Sequence, residues 1–296
     1  MKILLSGCAG QLGRELKRSL ACLGEVVACD RRQLDLAHAG SLRAAVREIA
    51  PTVIVNAAAY TAVDKAESEP DAAEAINAVA PAILADEAKR LGALLIHYST
   101  DYVFDGSKAT AYTEDDMPAP LSAYGCSKLG GEQAIAASGA RHLVFRTSWV
   151  YGLHGANFMK TMLRMGRRSC EMGDELRAPL RVVGDQVGAP TWTRHLADVT
   201  ALLLARKDLP SGLYHLAAAG ETSWHAYAEA IFAEAQAIGL MEKSPVVHRI
   251  TSADYPLPAP RPANSRLDCA KFRRDFNLAL PDWRIGLADC LADARF

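Results

Sequence analysis

Residues 3–13 read Ile-Leu-Leu-Ser-Gly-Cys-Ala-Gly-Gln-Leu-Gly: a short apolar run, then three glycines at GxxGxxG spacing, then a helical stretch. A strand that turns through glycines straight into a helix presents the unpaired N–H groups of the helix start. Those groups and the helix dipole favour an anion, and the missing side chains let a pyrophosphate approach the backbone. Gly7, Gly10 and Gly13, with Gln11 and Leu12 between them, are therefore candidate dinucleotide contacts. Asp30 ends the next apolar run about twenty residues on, where a carboxylate suits the adenosine ribose hydroxyls. Arg31 and Arg32 follow at once and suit a 2′-phosphate. The signals for NADH and NADPH are mixed, and dual use is expected.

Working outward, the N-terminal half alternates apolar runs with helix-like stretches. Ile3–Ser6, Val26–Cys29, Val53–Asn56, Leu94–Tyr98 and Leu143–Thr147 have the branched and aromatic content of buried strands. Helical patterns lie near Gln11–Leu23, Ser41–Ile49, Ala72–Leu91 and Ala123–Ala137. This alternation predicts an α/β fold, a Rossmann-type doubly wound parallel sheet covered on both faces. Val182–Val183 and Leu213–Leu216, with a helix near Arg194–Ala205, are expected to extend the sheet. Gly166–Leu180 reads as a polar surface excursion, and the alternating prolines Pro256, Pro258, Pro260 and Pro262 require an extended loop. Closing helices are expected at Asp268–Asn277 and Asp282–Ala294. The predicted organisation is a dinucleotide core of residues 1–150 and 181–218. A smaller C-terminal substrate-binding lobe takes residues 151–180 and 219–296.

Composition narrows the function. The 296 residues are 50% apolar and 23% charged, enough for a large core. With 33 basic and 34 acidic residues the net charge is −1, which offers no field to attract nucleic acid or a membrane surface. The seven cysteines are scattered, with no CxxC pair and no zinc spacing, as expected of reduced thiols in the cytoplasm. The apolar run after Met1 is too short for a signal peptide or a membrane span.

Tyr124-Gly125-Cys126-Ser127-Lys128 puts a phenol and an ammonium four residues apart, on one face of a helix. A phenol ordinarily titrates near pH 10. A neighbouring lysine and an oxidised nicotinamide are expected to move it towards neutrality. Thr100 and Asp101 follow the fourth strand, at the carboxyl edge where ligands of such sheets bind. A hydroxyl there can share a substrate oxygen with Tyr124. Tyr124, Lys128 and Thr100 are thus the candidate catalytic set.

The order and spacing of these motifs resemble the extended short-chain dehydrogenase/reductase superfamily, and within it the dTDP-4-dehydrorhamnose reductase family. The likeness runs over almost the whole chain. It is carried by GCAGQLG (7–13), VIVNAAAYTAVDKAESEP (53–70), HYSTDYVFDG (97–106), YGCSKLGGE (124–132), FRTSWVYG (145–152), GANFMKTML (155–163), DQVGAPT (185–191), GLYHLA (212–217) and RPANSRLD (261–268). The resemblance implies NADPH- or NADH-dependent reduction of the C4 ketone of a dTDP-deoxysugar, the last step of dTDP-L-rhamnose synthesis for cell-surface polysaccharide. It implies that Tyr124 supplies the proton and that Lys128 binds the nicotinamide ribose. Asp35 and Leu36 would border the adenine, Ala59, Tyr60 and Thr61 would line the middle of the cofactor, and Tyr98 would touch it. Thr100, Asp101 and Trp149 would contact the sugar, with the indole over a pyranose face. Asn157, Gln186 and Arg261 are expected at the dTDP end, Arg261 on the diphosphate.

Two departures stand out. The 166–180 stretch is longer than the family pattern. Some family members are dimers bridged by a metal on acidic side chains, and Glu15 matches one such position. The segment after GAPT reads Trp192-Thr193-Arg194-His195, however, and an arginine there argues against Mg2+ and against that dimer. A monomer or weak homodimer is expected. Two alternatives stay open: an epimerase or reductase of another nucleotide-deoxysugar, and a non-catalytic regulatory subunit of the methionine adenosyltransferase type.

Overall fold

The computed structural model describes residues 1–171 and 179–294. The first half runs β1 (Lys2–Ser6), α1 (Gln11–Leu20), β2 (Glu25–Cys29), α2 (Ala39–Ile49) and β3 (Val53–Asn56). Two short helices follow, α3 (Val63–Ala66) and α4 (Pro70–Glu74). A π turn (Ala75–Val79) then leads into α5 (Ala80–Leu91), β4 (Leu94–Thr100), α6 (Ala123–Ser138) and β5 (His142–Thr147). The second half holds β6 (Val150–Tyr151), α7 (Phe158–Glu171), β7 (Leu180–Val183), β8 (Val187–Gly188), β9 (Thr191–Trp192) and α8 (Thr193–Leu204). It closes with β10 (Gly212–His215), β11 (Thr222–Ser223), α9 (Trp224–Ala237), β12 (Val247–Ile250), α10 (Ala270–Phe276) and α11 (Trp283–Asp293).

The central sheet has six parallel strands in the order β10-β5-β4-β3-β1-β2. Side chains alternate across it. Ile3 and Leu5 face a layer containing Leu16 and Leu20 of α1 and Leu196 and Leu203 of α8. Leu4 faces the other layer, with Val46 of α2, Leu84 of α5 and Ile135 of α6. Burial on both faces explains why the strands read as continuous apolar runs. The chain order reverses between β1 and β3, and the crevice at their carboxyl ends is where an open α/β sheet accepts a ligand.

A separate core fills the later lobe, around Tyr151, Met159, Trp192, Tyr227, Phe232, Trp283 and Leu287. Leu213–Leu216 joins the central sheet as expected, through β10 beside β5. Val182–Val183 does not: β7 pairs with β12 and buries Leu180 and Val182 in the lobe core. A four-residue strand with three apolar side chains cannot say which sheet it will join. The surface excursion expected from Gly166 is also corrected. Residues 166–171 continue helix α7, and 172–178 lie outside the described residues. Glycine is accommodated within the helix at position 166 because α7 lies tight on α9, where an added Cβ would sit 2.6 Å from the Phe232 ring. Among the described residues no helix is long and apolar enough to cross a membrane.

Candidate active site

The glycine loop is shaped by close approach. Gly7 has φ +70°, and a Cβ on it would lie 2.7 Å from the Ala58 nitrogen. A Cβ on Gly13 would lie 2.0 Å from the Gly7 carbonyl oxygen, so the first turn of α1 rests directly on the loop. The Gly10 N–H donates to Gly7 O at 2.9 Å, and Gly10 caps α1 without using a side chain. The result is a side-chain-free cradle at a helix start, which fits a dinucleotide pyrophosphate. Leu12 packs towards the sheet core, and Gln11 points to the later lobe, its Oε1 accepting from Asn157 Nδ2 at 2.7 Å.

Asp30 directly follows β2, and its Oδ1 accepts the N–H groups of Arg32 and Gln33. Arg31 and Arg32 stand exposed beside it. Asp35 Oδ1 accepts from Ala37 N at 3.0 Å, and Leu36 is buried under α2. Ala59, Tyr60 and Thr61 follow β3. Asn77, on the π turn, grips this loop: Tyr60 N–H donates to Asn77 Oδ1 (2.9 Å), and Asn77 Nδ2 donates to Tyr60 O and to Ser127 Oγ (both 3.0 Å). Asn77 thereby ties the cofactor-side loop to the helix of Tyr124 and Lys128. Sequence reasoning missed it, because an asparagine within a helical pattern carries no local signal for a contact fifty positions away.

Thr100, Tyr124 and Lys128 converge. Thr100 ends β4; its hydroxyl donates to Asp101 Oδ1 at 3.2 Å, accepts from Tyr102 N at 3.2 Å and lies close enough to the Tyr124 phenol to act on its acidity. Tyr124 and Lys128 start α6, whose N-cap Ser122 accepts from Gly125 N at 3.1 Å. Lys128 is buried, and its Nζ donates to the Tyr98 carbonyl at 2.6 Å and lies 3.2 Å from His97 Nε2. Burial pushes the phenol up to about 12, against the opposing Thr100 hydrogen bond. The expected shift towards neutrality is therefore not met in the protein alone, because desolvation of the phenolate outweighs its neighbours. Burial also pulls Lys128 down to about 8, with Glu132 acting the other way. At neutral pH the tyrosine holds a proton it can give, and the lysine one helical turn on is charged.

The Tyr98 ring turns to the opposite face of the sheet, against Phe145, with its hydroxyl 2.7 Å from Thr200 Oγ1. Alternation along β4 sends Tyr98 away from the side of His97. Tyr98 contributes its carbonyl, which Lys128 uses.

At the expected sugar end, Asp101 is 3% exposed, its Oδ1 accepts from Thr100 Oγ1 at 3.2 Å, and burial raises its carboxyl to about 6 against the smaller effect of the nearby Ser265 hydroxyl. Its Oδ2 has no partner within the protein among the described residues. Trp149 has φ +47°, a left-handed conformation rare for a bulky residue. Its indole is stacked on Trp224, with centroids 3.6 Å apart and planes 9° from parallel. One face of the indole is thus already covered. Trp224, absent from the sequence expectations, also donates from Nε1 to Gln186 Oε1 at 3.1 Å, while Gln186 Nε2 donates to Ser252 at 3.0 Å. Gln186 is held by protein at both ends. Arg261 makes a bidentate pair with Asp64 at 3.0 and 2.8 Å and lies beside Tyr102, which packs edge-on to Tyr124. Asn157 is brought to the glycine loop rather than to these groups: it bonds Gln11 and Gly152 and accepts from Lys160 N at the start of α7.

Glu15, the acid matched to a bridging metal, is 3% exposed and receives Arg194 at 3.1 Å and Arg18 at 3.3 Å. Arg194 also pairs with Asp293. The guanidinium stands between the two carboxylates and supplies the positive charge a cation would bring. This donor set does not fit a metal.

A glycine cradle at the switch point of a parallel sheet, and a buried phenol proton donor beside a lysine, define a Rossmann-type nicotinamide-dependent oxidoreductase. The chain belongs to the family described as RmlD substrate binding domain, whose model matches residues 1–296. A relative from Burkholderia thailandensis named dTDP-4-dehydrorhamnose reductase is 47% identical, covering 99% of each chain. A crystal structure of dTDP-4-dehydrorhamnose reductase from Bacillus anthracis in complex with NADP superposes with TM-score 0.90 at 33% identity, over 99% of each chain. A Clostridium acetobutylicum structure of the same description gives TM-score 0.90 at 36% identity, over 100% of each chain.

Proposed function

We propose that this chain reduces the C4 ketone of dTDP-4-dehydro-6-deoxy-L-mannose to give dTDP-L-rhamnose, the activity named for its relatives. The observation that carries the chemistry is the contact of Thr100 with Tyr124 at the carboxyl end of β4, one helical turn from Lys128. When bound, the nicotinamide supplies the hydride; the protein supplies the proton and the geometry. Tyr124, protonated at neutral pH, donates to the oxygen that becomes the alkoxide. Thr100 shares that oxygen and orients it. The Lys128 ammonium stabilises negative charge developing on the phenol and binds the nicotinamide ribose. Gly7, Gly10, Gln11, Leu12 and Gly13 would hold the pyrophosphate, and Asp30 the ribose. The adjacent Arg31 and Arg32 support use of NADPH as well as NADH.

The sugar is proposed to bind between Asp101 and the Trp149–Trp224 wall. Residues 151–180 and 219–296 form the substrate lobe, and β7 to β9 join them. Arg261 reaches the diphosphate by exchanging Asp64 for it. The enzyme is proposed to act in the cytoplasm, as a monomer or weak homodimer without a bridging metal. Loss of the near-ultraviolet absorbance of NADPH or NADH on adding dTDP-4-dehydro-L-rhamnose tests the reading. No consumption with either cofactor, by protein that binds both, rules it out. An epimerase would instead interconvert C4 epimers without net loss of reduced cofactor.

A further inference from the structure

Three parallel strands carry a polar residue at matching register on the sheet face covered by α2, α5 and α6. Ser6 of β1 lies opposite Asn56 of β3, and Asn56 opposite His97 of β4. Leu4, Ile54 and Leu95, two positions earlier on the same three strands, build an apolar core on this face. The polar groups must therefore satisfy one another. They do so in one line that ends on the lysine: Ser6 Oγ to Asn56 Oδ1 is 2.6 Å, Asn56 Nδ2 to His97 Nδ1 is 3.0 Å, and His97 Nε2 to Lys128 Nζ is 3.2 Å. All four residues are 1% exposed.

Burial and the neighbouring lysine charge hold His97 well below the ordinary histidine range, so it is neutral at pH 7. A neutral imidazole has one N–H and one lone pair, and it must accept at one end and donate at the other. If Lys128 is an ammonium, Nε2 accepts from it, Nδ1–H donates to the Asn56 amide oxygen, and the amide N–H reaches Ser6. If Lys128 is a neutral amine, every bond runs the other way: Ser6 to the amide oxygen, amide N–H to Nδ1, and Nε2–H to the amine. With Oδ1 towards Ser6 and Nδ2 towards His97 the amide stands in the second pattern; turning it over, with no heavy atom displaced, gives the first, and an ammonium, which can only donate, requires that first pattern. The line ends at a buried serine, so it leads to no water and cannot feed protons. What it can do is favour one charge state of the lysine.

We propose that His97 is a positioning residue: it accepts through Nε2 from Lys128 and, braced by Asn56 and Ser6, keeps that lysine charged and directed at the reacting centre. The proposal rests on the role given to Lys128 above. The other groups acting on the lysine are known. Glu132, on its own helix, favours the ammonium, and the carboxylate is itself paired with Arg146 of β5 at 2.6 Å. Tyr98 contributes only a carbonyl, and Tyr124 lies one turn earlier on α6.

NADPH fluorescence titrations across pH test this without any sugar. Wild-type affinity should weaken through a midpoint near the Lys128 value of about 8. His97→Leu, which keeps bulk but cannot accept, should lower that midpoint by about one pH unit. His97→Gln, whose amide both accepts and donates, should restore most of it. If His97→Leu does not fold, Asn56→Ala replaces it and should also lower the midpoint, since the imidazole loses its brace. A flat wild-type profile, an unmoved midpoint in the variants, or a glutamine variant that shifts as far as leucine would overturn the proposal. A shifted midpoint in a protein that fails to reduce the sugar would uphold His97 and reject the proposed substrate instead.

Discussion

Trp149 lies flat on Trp224, 3.6 Å between ring centroids, and the Trp149 backbone is held at φ +47° to keep it there. The two indoles come from segments far apart in the chain, and Phe158 of α7 leans on Trp224 at 4.6 Å. The pair forms a rigid aromatic wall whose hydrogen-bonding edge is fixed by Gln186. Trp224→Ala should remove the backing of Trp149. The expected outcome is a rise in KM for the nucleotide sugar of about fivefold, in keeping with ~1 kcal/mol for an aromatic pair. Cofactor Kd should be unchanged. An unchanged KM would show that the wall faces no substrate.

Tyr124→Phe deletes the proton donor and leaves the ring, with its edge contact to Tyr102, in place. Turnover should fall by a factor of about a hundred or more while cofactor affinity stays close to wild type. Steady-state kinetics beside a binding titration measure both. Near-normal turnover would remove the phenol from the mechanism.

Glu87 on α5 is buried between Arg47 and Arg90, with Arg47 bonding both of its oxygens. The Arg47 hydrogen bonds, followed by those of Arg90, hold its carboxyl down at about 2 despite the cost of burial. A depressed carboxylate contributes stability above its unfolded pKa of about 4.3 and loses it as pH falls towards the folded value. Both arginines are half-exposed, so solvent screening reduces the contribution to roughly 1–2 kcal/mol. Glu87→Gln should therefore lower urea-unfolding stability at pH 7. The gap from wild type should narrow steadily between pH 4.5 and 2. A gap constant across that window would assign the effect to packing.

Arg194 joins Glu15 to Asp293, with Arg18 as a second partner of the buried Glu15. Activity should survive a strong chelator without loss. Arg194→Ala should cost roughly 1–3 kcal/mol, because it strips a charged partner from a buried carboxylate. Thermal unfolding reads the second effect. Turnover abolished by the chelator and restored by Mg2+ would refute the assignment of Arg194 as the bridging charge.

Much of this protein was legible one segment at a time. The glycine spacing of 7–13, the apolar runs of β1 to β5 and the Tyr124/Lys128 interval all act through neighbours within one turn or one strand. The strands of the first half and the shared helix face of Tyr124 and Lys128 are therefore readable in the sequence, while the approach of Thr100 to Tyr124 comes from the fold. Other features were settled between segments far apart in the chain. β7 had no local mark telling it to pair with β12 rather than join the central sheet. Tyr98 turned its ring to Thr200, and Asn157 went to Gln11.

Chemical identity and periodicity marked the candidates for binding a dinucleotide and moving a proton. Only the folded chain decided the protonation of those groups, since burial raised Tyr124 and lowered Lys128. It alone also set His97 under the lysine and Trp224 behind Trp149. Desolvation and contacts across long loops depend on what else packs nearby, and no short stretch of sequence contains that information.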